Sequence, residues 1–188
     1  MTERSTRRSV LTGASALALV APLFGLAACG RKEEAPTPAA PEAPKGPPEG
    51  SLEWAVAGAW RPADDKARDA WRHPVETLRF FGLQPKMTVV DFWPGSGWYA
   101  EILAPYLNKG GGALYLAGFV EGPNADPAQV AINNALKARI LADKKLYGPV
   151  QFTAFGPGSP PVAPAGTADM VLFMRYIQAW MAAGIAEK

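Results

Sequence analysis

The residues best suited to chemistry lie together in Val89-Val90-Asp91-Phe92-Trp93-Pro94-Gly95-Ser96-Gly97-Trp98-Tyr99. An apolar, β-branched run ends in an acid, a Pro/Gly turn follows, and then a helical pattern begins. A turn of this kind brings backbone N–H groups close to a ligand, because glycine has no Cβ to obstruct the approach, and it opens onto a helix N-terminus. Elsewhere the reactive side chains are few. His73 is the only histidine; it is either a base at the mouth of a site or, in the reading we favour, the residue that precedes a helix starting at Pro74. Cys29 is the only cysteine, which excludes an intramolecular disulfide and any Cys-based metal centre in the folded part of the chain. A metal would have to be held by carboxylates alone, and none is expected. Ser96 is a poor hydrolase nucleophile, since Pro94 stands where a Gly-x-Ser-x-Gly elbow needs its first glycine.

The strand, turn and helix that present this stretch belong to the last of three compositional regions. In residues 1–28, Arg7-Arg8 precede an apolar run interrupted by Gly13, Pro22 and Gly25, the layout of a twin-arginine export signal rather than a membrane span. Leu26-Ala27-Ala28-Cys29 resembles the lipobox of bacterial lipoproteins, which implies lipidation of Cys29, a lipid anchor in a bacterial membrane, and a chain facing the periplasm. Residues 29–50 are Pro- and Ala-rich with no larger aliphatic, so they are expected to form a disordered tether. Residues 51–188 carry the apolar periodicity of one domain. Of 19 basic and 17 acidic residues, Arg4, Arg7, Arg8 and Glu3 fall in the signal, leaving 16 of each. No basic footprint for nucleic acid remains.

Within the domain, Ser51 to Arg61 is a short apolar segment (Leu52, Trp54, Val56, Trp60) that leads into Pro62. Asp64 or Asp65 is expected to cap a helix through Arg72, and Pro74 to start one reaching Phe81, with Val75, Leu78 and Phe81 inward. Met87–Phe92 is the first strand. A helix after Gly97, bent or shortened by Pro105, ends near Asn108. Ala113–Phe119 is a second strand, and the first acid beyond it is Glu121. Adenosine sites place a carboxylate near this point to hold ribose hydroxyls; a solvated loop glutamate is the other reading. A helix from Ala128 to Leu146 buries Val130, Ile132, Leu136, Ile140 and Leu141. Strands at Val150–Phe155 and Asp169–Met174 and a helix from Arg175 to Glu187 complete the pattern. Alternating strands and helices imply an α/β fold, an open Rossmann-like parallel sheet with flanking helices, its ligand crevice at the strand C-termini.

The turn resembles motif I of class I S-adenosylmethionine-dependent methyltransferases: Asp91, Gly95 and Gly97 match, while Trp93 holds the first glycine position. The wider stretch ADDKARDAWRHPVETLRFFGLQPKMTVVDFWPGSGWYAEILAPYL, about residues 63–107, is similar to a group of predicted exported methyltransferases, and a looser match continues through Ala168–Leu172 and Trp180–Gly184. The resemblance implies a Rossmann-like sheet and S-adenosylmethionine as cofactor. It implies Asp91, Trp93, Pro94, Gly95, Ser96, Gly97 and Glu121 as cofactor-binding residues, and Trp93, Trp98 and Tyr99 as an apolar lining. Trp93 either caps the adenosine or blocks the methionine pocket. The chain departs from the family at Lys86 and at Arg175–Trp180. It also stops after the fourth strand and its helix, so the sheet is expected to be incomplete at the C-terminus. The open edge would be covered by a partner chain, or the chain is a fragment.

Two functions follow: a lipid-anchored S-adenosylmethionine-dependent methyltransferase with an unnamed catalytic base and substrate, or a non-catalytic binding or scaffold lipoprotein that retains the fold.

Overall fold

The computed structural model describes residues 46–156, 158–182 and 184. The export signal and Cys29 lie outside the described residues, as does most of the tether. Its last five residues do not: Ser51 N–H bonds to the Pro48 carbonyl at 3.0 Å, and Glu49 pairs with Lys109 at 2.5 Å. Regular contacts therefore begin upstream of the boundary expected at Ser51.

The strands are β1 (Thr88–Phe92), β2 (Ala113–Gly118), β3 (Gln151–Ala154) and β4 (Met170–Leu172). They form one all-parallel sheet in the order β3-β2-β1-β4. β1 is central, and Val89, Val90 and Asp91 in its middle are all buried, as a parallel strand covered on both faces requires. Helix α5 (Ala100–Gly110) connects β1 to β2, and α6 (Pro127–Ala142) with α7 (Lys144–Tyr147) connects β2 to β3. β4 lies at the outer edge beside β1, with Val171 56% exposed. No described helix is long and apolar enough to cross a membrane.

Helix α5 is the hub of the core. Every residue from Ala100 to Leu107 is buried, because Ala, Ile, Leu and Tyr occupy nearly its whole circumference and leave no polar face to solvate. Pro105 does not shorten it: the helix runs through to Gly110. A proline at this position cannot donate to the carbonyl four residues back, which belongs to Glu101. That carbonyl instead accepts the indole N–H of Trp60 at 2.9 Å.

Trp60 is placed by an element the periodicity does not reveal. Leu52–Ala57 forms α1, capped by Ser51, whose hydroxyl accepts the Trp54 N–H at 3.1 Å. The helix expected through Arg72 is two short ones, α2 (Ala63–Ala67) and α3 (Asp69–Arg72), with Arg68 between them. Pro62, not an aspartate, occupies the N-cap position. Asp65 is buried and pairs with Arg68, and Asp69 takes a bidentate pair from the buried Arg61 at 2.6 and 2.8 Å. Of the two expected caps, Asp65 is thus taken up by ion pairing, and Asp64 lies exposed inside α2. Helix α4 (Pro74–Phe80) has proline in its first turn, as expected, and buries Leu78, while Phe81 stays exposed.

The helix expected through Leu146 breaks at Asp143, whose carboxylate caps α7 by accepting the Leu146 N–H at 2.9 Å. Leu136 and Ile140 are buried, while Ile132 and Leu141 are exposed, since only one narrow side of α6 meets the core. Helix α8 begins at Ile177, two residues after the start expected at Arg175, and is described through Ala182; most of the remainder of the expected helix lies outside the described residues.

Candidate functional site

Asp91 lies near the C-terminal end of β1, between Leu116 of β2 and Leu172 of β4. Its neighbours enclose it to 3% exposure, and its Oδ2 has no hydrogen-bond partner. Burial pushes its carboxyl up to about 7, because a charge taken from water without a partner is disfavoured.

Beyond Phe92 the chain leaves the sheet abruptly. Trp93 N–H extends the ladder to the Ala117 carbonyl at 2.8 Å, and Trp93 then takes the left-handed conformation, φ 48°. Gly97 N–H closes a turn onto the Pro94 carbonyl at 3.0 Å, and the Gly97 carbonyl accepts the Glu101 N–H at 2.9 Å. The motif turn therefore passes directly into α5. Gly95 (φ 58°) and Gly97 (φ 93°) both need the left-handed region that side chains resist. They face different surroundings. A Cβ on Gly97 would come within 2.4 Å of Leu136 Cδ1, so this glycine lets α6 pack on the turn. A Cβ on Gly95 would meet only the Tyr176 hydroxyl, at 3.2 Å, on the side of a cleft.

That cleft holds about 590 Å³ between the ends of β1 and β4 and the α2–α4 segment. Asp91, Trp93, Pro94, Gly95 and Ser96 line it. A second cleft of about 480 Å³ opens over β2 and β3 and is lined by Glu121, Asn133 and Ser159. Pro94 borders both, and Gly97 borders neither. The structure therefore places Asp91 and Glu121 on separate clefts, and a ligand touching both must pass over Pro94. Glu121 is exposed, with one oxygen 3.4 Å from Asn133 Nδ2.

Trp93 is part of an aromatic cluster. Its ring lies 5.0 Å from Phe119, 5.4 Å from Tyr176 and 5.5 Å from Trp180, and its Nε1 donates to the Phe155 carbonyl at 3.0 Å. Trp98 and Tyr99 do line the first cleft. The Trp98 indole is anchored to the Asp65 carbonyl at 2.8 Å, and the Arg72 guanidinium lies 4.5 Å from its ring centroid. His73 is exposed at the α3–α4 junction, with φ 44°, and does not line the cleft.

Several contributors were not singled out as site residues from sequence. Arg68, Trp71, Arg72 and Thr77 close one side of the first cleft. Arg68, Trp71 and Arg72 fall at i, i+3 and i+4, a spacing that puts side chains on one helical face and that the sequence already displays. Arg175 and Tyr176 close the other side. Asn133 accepts the Phe119 N–H at 3.1 Å and donates to its carbonyl at 2.8 Å, fixing the chain beyond β2; a lone Asn in a helix gives no sign of this. Among the described residues, no group of three or more His, Cys, Asp or Glu side chains could hold a metal ion.

The residues fit a ligand that offers a cationic or hydrogen-bonding group to Asp91 and lies along Gly95 and Ser96. The unpartnered buried carboxylate oxygen and the open side of Gly95 are the two features that such a ligand would complete. No family model, curated protein or solved structure matches this chain.

Proposed function

We propose that the chain is an S-adenosylmethionine-dependent methyltransferase-like protein, with the cofactor held at the C-terminal end of β1. The observation that supports this best is the unpartnered Oδ2 of Asp91, buried at the end of a central parallel strand beside a glycine turn. Open parallel sheets bind ligands outside the strand C-termini, and crevices of a few hundred Å³ suit molecules of this size. S-adenosylmethionine, when bound, supplies a methyl group activated on a sulfonium. The chain's own contribution is positional: Asp91 accepts from the ligand, the Gly95–Ser96 backbone lies against it, and Trp98 and Tyr99 exclude water. Aligning donor and acceptor for an in-line displacement is the larger part of such catalysis. Glu121 takes part only in a ligand that reaches the second cleft. The export signal, lipidation of Cys29 and a periplasm-facing membrane location belong to the same proposal, from the sequence.

A specific observation favours the alternative, a non-catalytic binding or scaffold lipoprotein. The Trp93 ring packs against Phe119, Tyr176 and Trp180 between the two clefts, where it limits how far a ligand extends from β1 towards β2. Calorimetry on the full chain in detergent separates the readings. Binding of S-adenosylmethionine or its demethylated product that is lost in Asp91→Asn supports the first. No binding by folded protein at about millimolar ligand, an affinity of only about −4 kcal/mol, removes the first and leaves the second.

A further inference from the structure

The rim of the first cleft carries positive charge that the methyltransferase reading does not use. Of the arginines near it, Arg61 is paired with Asp69 and Arg68 with Asp65. Arg72 and Arg175 line the cleft and make no ion pair among the described residues. Arg72 is half-buried, its guanidinium 4.5 Å from the Trp98 ring centroid, within reach of a cation–π contact. Its α3 position is secured by Thr77, whose hydroxyl donates to the Arg72 carbonyl at 3.1 Å. Beside it Trp71 is 80% exposed, although it is the largest type of apolar side chain and lies on the wall of a concave site.

We propose that this rim is a subsite for a small phosphate monoester bearing a planar ring, with Arg72 and Arg175 holding the phosphate and Trp71 stacking on the ring. Two guanidiniums balance a phosphate dianion, and their planar forks match its oxygens. Like charges in a partly desolvated cleft repel one another in the free protein. Arg72 shows this, since its pKa is lowered by burial and then by Arg68 and Arg175. A bound dianion relieves that repulsion. Asp91 at the floor opposes it least below about 7, where burial keeps its carboxyl largely protonated. The inference goes beyond the methyltransferase reading and does not depend on cofactor binding.

The test is calorimetric titration of the full chain in detergent with phenyl phosphate, methyl phosphate and benzyl alcohol. Phenyl phosphate binds more tightly than methyl phosphate, and benzyl alcohol does not compete. Arg175→Gln weakens both phosphates by about tenfold, the size of one charge-assisted hydrogen bond. Trp71→Ala reduces phenyl phosphate to the affinity of methyl phosphate. Arg72→Gln can loosen α3 through Trp98, so the exposed Arg175 is the deciding position, with thermal melts confirming that each variant is folded. A short-chain phosphatidic acid is the further arm. Tighter binding than phenyl phosphate overturns the proposal, because a lipid headgroup offers no ring to Trp71, and weaker binding supports it. Unchanged affinity in Arg175→Gln, or equal affinity for phenyl and methyl phosphate, overturns the proposal. So does the absence of phosphate binding to folded wild type at about 10 mM, an affinity of only about −3 kcal/mol.

Discussion

The indole N–H of Trp60 takes up the Glu101 carbonyl that Pro105 leaves without an intrahelical donor. One side chain from the α1–α2 connection thereby completes the backbone of the helix that supports the motif turn. Trp60→Phe keeps most of the ring and leaves a buried carbonyl unsatisfied, so it is expected to cost about 1–3 kcal/mol. Pro105→Ala supplies the missing N–H within the helix. Denaturant melts of the two single variants and the double variant should show a smaller cost for Trp60→Phe when Pro105 is absent. Strict additivity would contradict this account.

Asp91 sets a pH dependence with a definite sign. Its folded-state carboxyl is raised from 3.8 to about 7, so between these values the folded protein holds a proton that the unfolded chain has released. Stability then falls as pH rises through this window and levels off above it. Asp91→Asn should match wild type near the acid end and be more stable above about 7, while losing ligand binding. Thermal melts across pH check the first part, and calorimetry the second. A variant less stable than wild type at alkaline pH would show that Asp91 has a partner.

Arg139 reaches two places at once: the buried Glu101 at 2.7 Å and the Ser96 carbonyl at 3.3 Å. Glu101 is fully enclosed, and burial raises its pKa more than Arg139 lowers it. Removing the arginine leaves a buried carboxylate alone, which costs more than neutralising the acid. Arg139→Met should therefore destabilise by roughly 2–4 kcal/mol, discounted because Arg139 is partly exposed, and Glu101→Gln by less. The reverse order in urea melts would refute the ranking.

Gly95 and Trp93 test the cofactor proposal from opposite directions. Gly95→Val places a branched side chain at φ 58° and towards the Tyr176 hydroxyl, and it is expected to abolish binding of S-adenosylmethionine. Trp93→Gly removes the aromatic partition between the clefts. If Trp93 blocks the ligand, affinity rises; if it caps the adenosine, affinity falls. A melting-temperature shift at a hundredfold excess over Kd, where linkage adds about 2.7 kcal/mol, reads both.

Lipidation is tested separately. A tagged fatty acid supplied to cells should label the wild-type chain and not Cys29→Ala, and equal labelling of both would remove the anchor from the proposal.

The parallel α/β alternation, a first strand expected at Met87–Phe92 and found at Thr88–Phe92, and the turn at Pro94–Gly97 are all legible in the sequence. These features are written in local terms: β-branched runs, glycines that tolerate positive φ, and proline at the start of α4. Asp91 was legible as the acid that ends an apolar run. Its isolation was not, because that depends on Leu116 and Leu172 standing on either side in the sheet. The same limit applies to Pro105, where a local rule expects a bent or shortened helix and a distant tryptophan supplies the missing donor. Tertiary structure also decided the role of the two acids near the start of the domain. Asp65 looks like a helix cap, yet Arg68 claims it, and Asp69, within the span read as helix, is held by Arg61. It separated Asp91 from Glu121, which a linear motif places at one site, by packing Trp93 and Pro94 between two clefts. Periodicity and turn chemistry act over a few residues, whereas burial, ion pairing and the walls of a cleft arise only when remote segments meet.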